Sequence, residues 1–299
     1  MSERAAKTTP PLTEHEIEEI RALIERRSGI VLDQSRARFF HARLREHLQE
    51  RTLARGNDLL RLVKTSNAEY DALLEKVLTQ ETSFFRYPAV FNALERKVLP
   101  EMHTKKFWEN PRALRIWSAG CSTGEEPYSI AMTVAQTIEF SEAWNIHILA
   151  TDISRSALSV AETGVYSRRE LQGLTPEQID GFFSKAPNSS ETYQAKPRLK
   201  KMITFAPMNL AQMVYMGRFD IIFCMNVLIY FSDELRSNLI QRFSEYLEPG
   251  GYLFLGHAES VAKTKLGLEP IVHGDSLYYQ KPANAGMRRV ASVGGAERV

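Results

Sequence analysis

The stretch Ser118–Tyr128 reads SAGCSTGEEPY and is the part of the chain that decides the fold. It follows a short apolar run at 113–118 and leads into a helical pattern at 126–139. It therefore predicts a glycine-containing turn between a strand and a helix. Such turns usually hold phosphate through backbone N–H groups at the helix N-terminus. Here Glu125 and Glu126 bring negative charge to that position, which favours a positively charged ligand instead.

Around this turn, short apolar runs alternate with helical stretches. Strands are expected at 113–118, 146–151, 202–206, 219–225 and 252–256, and helices at 126–139, 154–163 and 232–247. This alternation predicts a doubly wound, Rossmann-like α/β domain with a parallel sheet. Near the C-terminus, Glu269–Val272 and Ser276–Gln280 are joined by a short turn and predict a hairpin. The sheet should therefore end in an antiparallel edge.

The chain before residue 88 shows only helical spacing. Thr13 and Glu16 predict a capping box at the start of its first helix. We therefore expect a small all-helical N-terminal domain at 12–87, a linker helix at 88–111, the α/β domain at 112–282 with an aperiodic insertion at about 188–201, and disordered tails at 1–11 and 283–299.

The composition is that of a globular protein, with 43% hydrophobic and 25% charged residues in 299. The two cysteines, Cys121 and Cys224, lack the spacing of a disulfide framework or a metal motif, which favours a reduced, cytoplasmic setting. No signal peptide is evident, and no run approaches the ~18 apolar residues of a membrane span. A net charge of +2 is too small to indicate nucleic acid or anionic lipid as a partner.

Positive charge is concentrated in one region of the helical domain. Nine arginines stand against four acidic residues between Arg21 and Arg55. On the predicted second helix, two pairs of arginines seven residues apart flank an apolar stripe, and these are Arg36 with Arg43 and Arg38 with Arg45. Such a surface suits an acidic partner, although a solvated helix face would have the same composition.

Polar residues follow the predicted strands at the edge where ligands bind in open α/β sheets. They are Gly120, Asp152, Asn209 and Asn226. An acid that ends the second strand is placed to bind the two hydroxyls of a ribose, as in any adenosine-type ligand.

The glycine turn distinguishes between a dinucleotide and other adenosine-type ligands. A dinucleotide fingerprint needs three glycines, whereas only Gly120 and Gly124 are present. Each glutamate would also repel a pyrophosphate, since unit charges interact by ~4 kcal/mol at short range and intermediate dielectric. S-adenosylmethionine has no phosphate and carries a sulfonium and an ammonium, so it would gain from the same carboxylates. The alternative is that Glu125 and Glu126 only complement the helix dipole.

Several segments of the chain resemble a known family. The segments LTQETSFFRYPAVF, SAGCSTGEEPYSIAM, LATDIS, FDIIFCMNVLIYF and GGYLFLGHAES are similar in wording and order to the chemotaxis-receptor glutamate methyltransferases, the CheR family. The resemblance spans residues 12 to 280. It implies a helical N-terminal domain, an S-adenosylmethionine-dependent domain with a small β-subdomain, and methylation of glutamates on the cytoplasmic helical bundle of transmembrane chemoreceptors, with S-adenosylhomocysteine as product.

The resemblance also implies roles for individual residues. Arg86 and Tyr230 would orient the transfer, although Tyr230 would otherwise be a core tyrosine. Gln80 stands where relatives usually have asparagine. Met225 stands where they commonly have arginine, so that only a backbone contact of Met225 carries over. The implied cofactor residues are Gln80, Thr82, Arg86, Glu126, Asp152, Asn209, Leu210, Met225 and Asn226, and the implied substrate-binding residues are Arg36, Arg38, Arg43 and Arg45.

The reaction type has independent physical support. A glutamate carboxylate is ionised at neutral pH and needs no general base to accept a methyl group. The loop after the fourth strand lacks the paired prolines that hold a flipped base in other methyltransferases, which argues against a nucleic-acid substrate.

We expect no metal, no nucleic acid, no membrane insertion and a monomer. A cofactor-binding sensor without turnover and a nucleotide-modifying methyltransferase stay open as alternatives. Phe84 and Phe85 are expected to be packing residues.

Overall fold

A computed structural model describes residues 12–283 except 33–36, 54, 110, 188, 190, 215, 258 and 260–266. The tails expected to be disordered lie outside the described residues, apart from residue 283. Contacts divide the chain into two compact units. The first holds the residues up to Thr79 together with Tyr230–Ser232, and the second holds Gln80–Ile229 and the residues from Asp233 onward.

The first unit is helical, as the sequence predicts. Its helices are α1 (Glu14–Ser28), α2 (Ala37–Glu50), α3 (Gly56–Thr65) and α4 (Asn67–Val77). The predicted capping box at Thr13 and Glu16 is confirmed. Residues 230–232 belong to this unit because an antiparallel bridge joins Ile30 to Phe231, and the N–H of Val31 donates to the carbonyl of Tyr230 at 2.7 Å.

In the second unit, a long helical segment follows residues 80–87. It contains α5 (Pro88–Ala93), a π-helical turn (Leu94–Val98) and α6 (Leu99–Lys106). The sequence predicts a continuous helix here. Pro100 supplies a reason for the wider turn, because proline has no N–H and its ring clashes with the carbonyl one turn before it.

In the described residues of the second unit, ten strands form two sheets. They are β1 (Ala113–Ala119), β2 (Asn145–Asp152), β3 (Val165–Ser167), β4 (Phe183–Lys185), β5 (Thr192–Ala195), β6 (Ile203–Pro207), β7 (Phe219–Cys224), β8 (Leu247–Leu255), β9 (Glu269–His273) and β10 (Ser276–Gln280). The connecting helices are α7 (Glu125–Thr137), α8 (Arg155–Thr163), α9 (Pro176–Phe182), α10 (Pro197–Lys200) and α11 (Asp233–Tyr246).

The larger sheet has seven strands in the order β6–β2–β1–β7–β8–β10–β9. The first five are parallel, and β10 runs antiparallel to both of its neighbours. The Rossmann-like fold with an antiparallel C-terminal edge is therefore confirmed. The strand β9 lies outermost and contains Pro270.

The sheet order brings the carboxyl ends of the parallel strands to one edge. All six residues of β7 are buried, as expected for a strand in the middle of such a sheet. The chain order reverses between β1 and β7, which is the switch point where open α/β sheets bind ligands. Among the described residues, no helix is both long and apolar enough to cross a membrane.

The smaller sheet has three antiparallel strands in the order β3–β5–β4. It is the small β-subdomain that the resemblance implied. Its strands span residues 165–195, so the segment expected at 188–201 includes only the last of them, β5, and then α10. The sequence pattern missed β3 and β4 because strands of three residues are too short to show a period.

Candidate functional site

The glycine turn is built as a tight link between β1 and α7. The N–H groups of Gly120 and Cys121 both donate to the carbonyl of Thr151, at 2.8 and 2.9 Å. Gly120 has φ of +86°, and a Cβ there would lie 2.3 Å from a methyl group of Val227. Glycine is therefore required at 120 both by the backbone conformation and by the close approach of the loop after β7.

Asp152, at the end of β2, is fixed by backbone donors. Its carboxylate accepts from the N–H of Ser122 at 2.8 Å and from the N–H of Ser154 at 2.9 Å. Its carbonyl accepts from the N–H of Met208 at 2.8 Å, which ties the end of β2 to the end of β6. The side chain of Gln80 donates to the hydroxyl of Ser154 at 2.9 Å. Two predicted site residues, Gln80 and Asp152, are thus joined through one serine.

Glu126 lies in the first turn of α7 and is partly buried. Its carboxylate accepts from the hydroxyl of Ser118 at 2.7 Å. Burial raises the pKa of Glu126 to about 7; the negative charge of Glu259 adds to the increase, whereas the Ser118 hydroxyl and the positive charge of Arg86 oppose it. This carboxyl group can change its charge near neutral pH, and a bound cation would favour the ionised form.

The neighbouring Glu125 has a different environment. Its side chain is buried, with 4% exposed, and accepts from the hydroxyl of Thr123 at 2.7 Å. Burial raises its pKa. Of the two glutamates that the sequence places at the turn, Glu126 is therefore the more exposed.

The segment 80–87, which precedes α5, carries three predicted cofactor residues. Thr82 is half-buried, and Arg86 donates to the carbonyl of Glu81 and pairs with its carboxylate at 3.7 Å. The N–H of Phe85 donates to the hydroxyl of Ser129 at 3.0 Å, and this hydroxyl donates to the carbonyl of Glu125 at 2.7 Å. Ser129 thereby attaches the segment to the first turn of α7.

The ends of β6 and β7 supply four further predicted residues. Asn209 caps the 3-10 turn Leu210–Gln212 through its side-chain oxygen, which accepts from Ala211 at 3.0 Å. Leu210 is buried and Met225 packs partly buried against the core. Asn226 has φ of +61°, a strained conformation for a residue other than glycine.

Two side-chain oxygens at this edge of the sheet are buried with no hydrogen-bond partner among the described residues. They are Oγ of Ser122 and Oδ1 of Asn226. Buried polar atoms are rarely left unpaired, so an arrangement of this kind is typical of a site that binds a polar ligand.

Glu259 contacts this edge of the sheet, although the sequence patterns did not predict it. It is buried, with 4% exposed, and its carboxylate accepts from the N–H groups of Gly256 at 2.7 Å, Asn226 at 3.1 Å and Ile229 at 3.1 Å. Burial raises its pKa, and these hydrogen bonds oppose the increase. The available signal was an acid three residues after Gly256, at the end of a predicted strand.

The remaining predicted residues belong to the first unit. Tyr230 belongs to this unit, and its carbonyl accepts a hydrogen bond from the N–H of Val31. On α2, Arg38 and Arg45 are exposed, and Arg43 pairs with Glu46 at 2.7 Å. Arg36 lies outside the described residues.

The predicted packing residues and cysteines also have clear environments. Phe84 is 2% exposed and packs edge-on against Tyr166 and Phe183, which confirms its packing role. Cys121 and Cys224 are free thiols and buried. Among the described residues, no group of three His, Cys, Asp or Glu side chains is arranged to hold a metal ion.

Comparison with known proteins identifies the family. Residues 15–78 match the family described as CheR methyltransferase, all-alpha domain, and residues 80–273 match CheR methyltransferase, SAM binding domain. Among solved structures, magnesium protoporphyrin IX methyltransferase from Synechocystis PCC 6803 aligns at a TM-score of 0.35 and 16% identity, covering 76% of this chain and 91% of that one.

Curated relatives cover most of the chain. A chemotaxis protein methyltransferase of Vibrio parahaemolyticus is 38% identical over 85% of this chain and 92% of its own length. One from Borreliella burgdorferi is 32% identical over 85% and 91%, and one from Escherichia coli is 34% identical over 87% of both chains. With both domains matched and several relatives above 30% identity, the chain belongs to the CheR methyltransferase family.

Proposed function

We propose that this chain transfers the methyl group of S-adenosylmethionine to glutamate side chains on the cytoplasmic helical bundle of chemoreceptors, giving glutamate γ-methyl esters and S-adenosylhomocysteine. The observation that carries the proposal is a pair of carboxylates, one in the first turn of α7 and one at the end of β2. Glu126 and Asp152 are both held in place by hydrogen bonds and surround the glycine turn. The family match and the names of the relatives support the same activity.

The residues present fit S-adenosylmethionine. Asp152 would bind the ribose hydroxyls, and Glu126 offers an acceptor and a negative charge for the ammonium of the methionine end. The unpartnered oxygens of Ser122 and Asn226 offer two further acceptors. Asn209, Leu210 and Met225 follow β6 and β7, where the adenine would be bound. Gln80, Thr82 and Arg86 would complete the site from the segment 80–87.

The chemistry asks little of the protein beyond orientation. S-adenosylmethionine, when bound, supplies a methyl group activated by a positively charged sulfur. A carboxylate oxygen of the receptor glutamate forms the new C–O bond while the C–S bond breaks, and its electron pair stays on sulfur. No proton moves, so no general base is needed. Arg86 and Tyr230 are assigned to orienting the incoming carboxylate and the methyl group.

The acidic helices of a receptor would be attracted by the arginines of α2. Arg38 and Arg45 are exposed, and Arg43 keeps part of its surface exposed beside Glu46. With Arg36 they form the proposed receptor-binding set. The proposal implies that the protein acts in the cytoplasm, where receptor signalling domains are found.

The direct test uses labelled S-adenosylmethionine and a chemoreceptor signalling fragment. We expect methyl label on glutamate that mild alkali removes, because methyl esters hydrolyse in base. Label that resists alkali, or label on RNA or DNA and none on protein, would contradict the proposal. Tight cofactor binding without transfer to any receptor fragment would instead indicate a binding module.

A further inference from the structure

The small β-sheet contacts both loops to which the proposed function assigns the cofactor. These loops are the glycine turn at 120–124 and the segment 80–87. Tyr166, the central residue of β3, reaches both. Its side chain is 1% exposed, so every contact it makes is with protein.

The first contact is a hydrogen bond to the glycine turn. The hydroxyl of Tyr166 donates to the carbonyl of Thr123 at 2.8 Å. A Cβ at Gly124 would lie 2.8 Å from the same hydroxyl oxygen, so the turn approaches Tyr166 as closely as a glycine allows. The turn is thus fixed by the central sheet through Thr151 and by the small sheet through Tyr166.

The second contact is with the segment 80–87. The ring of Phe84 packs edge-on against Tyr166, with ring centres 5.0 Å apart, and against Phe183 of β4 at 5.6 Å. Phe84 lies two residues before Arg86 and two after Thr82. A Cβ at Gly173 would lie 2.6 Å from the carbonyl oxygen of Phe84, so the backbone is enclosed as well.

We propose that Tyr166 is a positioning residue for the cofactor, through which the small sheet holds the glycine turn and the segment 80–87 in their binding geometry. The inference rests on the proposed function, because that function assigns the cofactor to these two loops. It gives the small sheet a role within the cofactor site. It further implies that a ligand or partner that displaces β3 would change cofactor affinity.

The test compares two tyrosine variants of the full-length chain. Tyr166→Phe removes one hydroxyl and keeps the ring. Tyr252→Phe is the matched control, since Tyr252 is also 1% exposed and donates its hydroxyl to a protein acceptor, Glu101. We expect Tyr166→Phe to raise the dissociation constant of S-adenosylhomocysteine in titration calorimetry by about fivefold, the effect of one net hydrogen bond. Tyr252→Phe should leave it unchanged.

If Tyr166 only stabilised the fold, its substitution would not change KM for S-adenosylmethionine selectively. We expect Tyr166→Phe to raise KM for S-adenosylmethionine while kcat at saturating cofactor and KM for the receptor fragment stay unchanged. Amide hydrogen exchange in the free protein should be faster at 121–125 and 84–86 than in wild type. The control should show neither effect.

The ring contact has its own pair of variants. Phe84→Leu should raise the dissociation constant of S-adenosylhomocysteine, whereas Phe243→Leu, which removes another buried edge-on ring contact, with Trp117, should lower only the melting temperature. If Tyr166→Phe and Tyr252→Phe lower the melting temperature equally and leave cofactor affinity and exchange unchanged, the inference is overturned while the proposed function stands. Failure of the wild-type chain to bind S-adenosylhomocysteine would overturn both.

Discussion

Glu126 is a carboxyl group whose charge depends on its surroundings near neutral pH. Burial raises its pKa from the ordinary 4.5 to about 7 in the folded chain. In the ligand-free protein this contributes stability that is fully present below pH 4.5 and is lost as the pH rises through 7, because the folded state keeps a proton that the unfolded chain releases. Cofactor binding should lower the pKa of Glu126, since a bound cation favours the ionised carboxylate.

We therefore expect S-adenosylhomocysteine to bind more weakly to the wild type as the pH falls from about 8 to about 6, with proton release on binding at the lower pH. Glu126→Gln should lose that proton release and bind weakly at both pH values. Titration calorimetry in two buffers of different ionisation enthalpy measures the released protons. Equal proton release in both proteins would assign the linkage to another group.

The carboxylate of Glu259 holds the loop after β7 by accepting hydrogen bonds from the backbone of that loop. The carboxylate accepts hydrogen bonds from three backbone N–H groups, those of Gly256, Asn226 and Ile229. Replacing it with glutamine puts an amide NH₂ donor where only acceptors fit. We expect Glu259→Gln to lower the free energy of unfolding by about 2 kcal/mol in urea titration.

The exposed Glu245 on α11 provides the control for Glu259. Glu245→Gln should change the free energy of unfolding by about 0.5 kcal/mol or less. A Glu259→Gln variant as stable as this control would mean that the loop does not depend on the carboxylate. Removing the charge of Glu259 should also lower the pKa of Glu126, because the two carboxylates repel each other.

At the scale of elements, the glycine turn and the loop after β7 fit against each other. Gly120 and Val227 approach so closely that an alanine Cβ at 120 would lie 2.3 Å from a valine methyl group. Gly274, in the turn between β9 and β10, also has positive φ but no atom within 4 Å of a built Cβ. Comparing an alanine substitution at these two glycines therefore separates the cost of backbone strain from the cost of steric contact.

We expect Gly120→Ala to destabilise the chain by about 3 kcal/mol, the sum of left-handed strain and overpacking. Gly274→Ala should cost about 1 kcal/mol, from strain alone. Urea unfolding measures both. Val227→Ala, combined with Gly120→Ala, should recover part of the loss. A double variant no more stable than Gly120→Ala would show that the methyl contact is not the cause.

The elements differ in how far the sequence could predict them. The central strands were predictable because a strand buried on both faces is a nearly continuous apolar run, as in β7, where Asp220 is the one charged residue. The residues at their ends, such as Asp152 and Asn226, followed from the topology. In contrast, β3 is too short for a period, and its pairing with β5 joins residues far apart in sequence. Tyr166 and Glu259 were missed for the same reason, since their contacts depend on loops that fold back.

At the scale of the whole molecule, the helical unit carries the proposed receptor-binding charge. If this surface attracts an acidic helical bundle, reversing its exposed arginines should slow methylation without affecting cofactor binding. We expect the double variant Arg38→Glu with Arg45→Glu to reduce kcat/KM for a receptor fragment about tenfold at low salt, and less at high salt.

Arg61→Glu is the matched control, since Arg61 lies on α3 with its side chain 80% exposed. Methylation assays with a receptor fragment at two ionic strengths compare the variants, and calorimetry with S-adenosylhomocysteine checks the cofactor site. Because the control reverses one charge instead of two, a loss half as large on a logarithmic scale would show that only net charge matters. A loss of cofactor affinity in the double variant would make the arginines structural.

The outermost strand, β9, has a consequence for how the molecule behaves in concentrated solution. Within the described part of the chain, it pairs on one side only, with β10. Pro270 offers no N–H to an incoming strand, and Glu269 places a charge at the start of the same edge. Copies of the protein are therefore hindered from pairing through this edge of the larger sheet, which makes aggregation through β9 unfavourable.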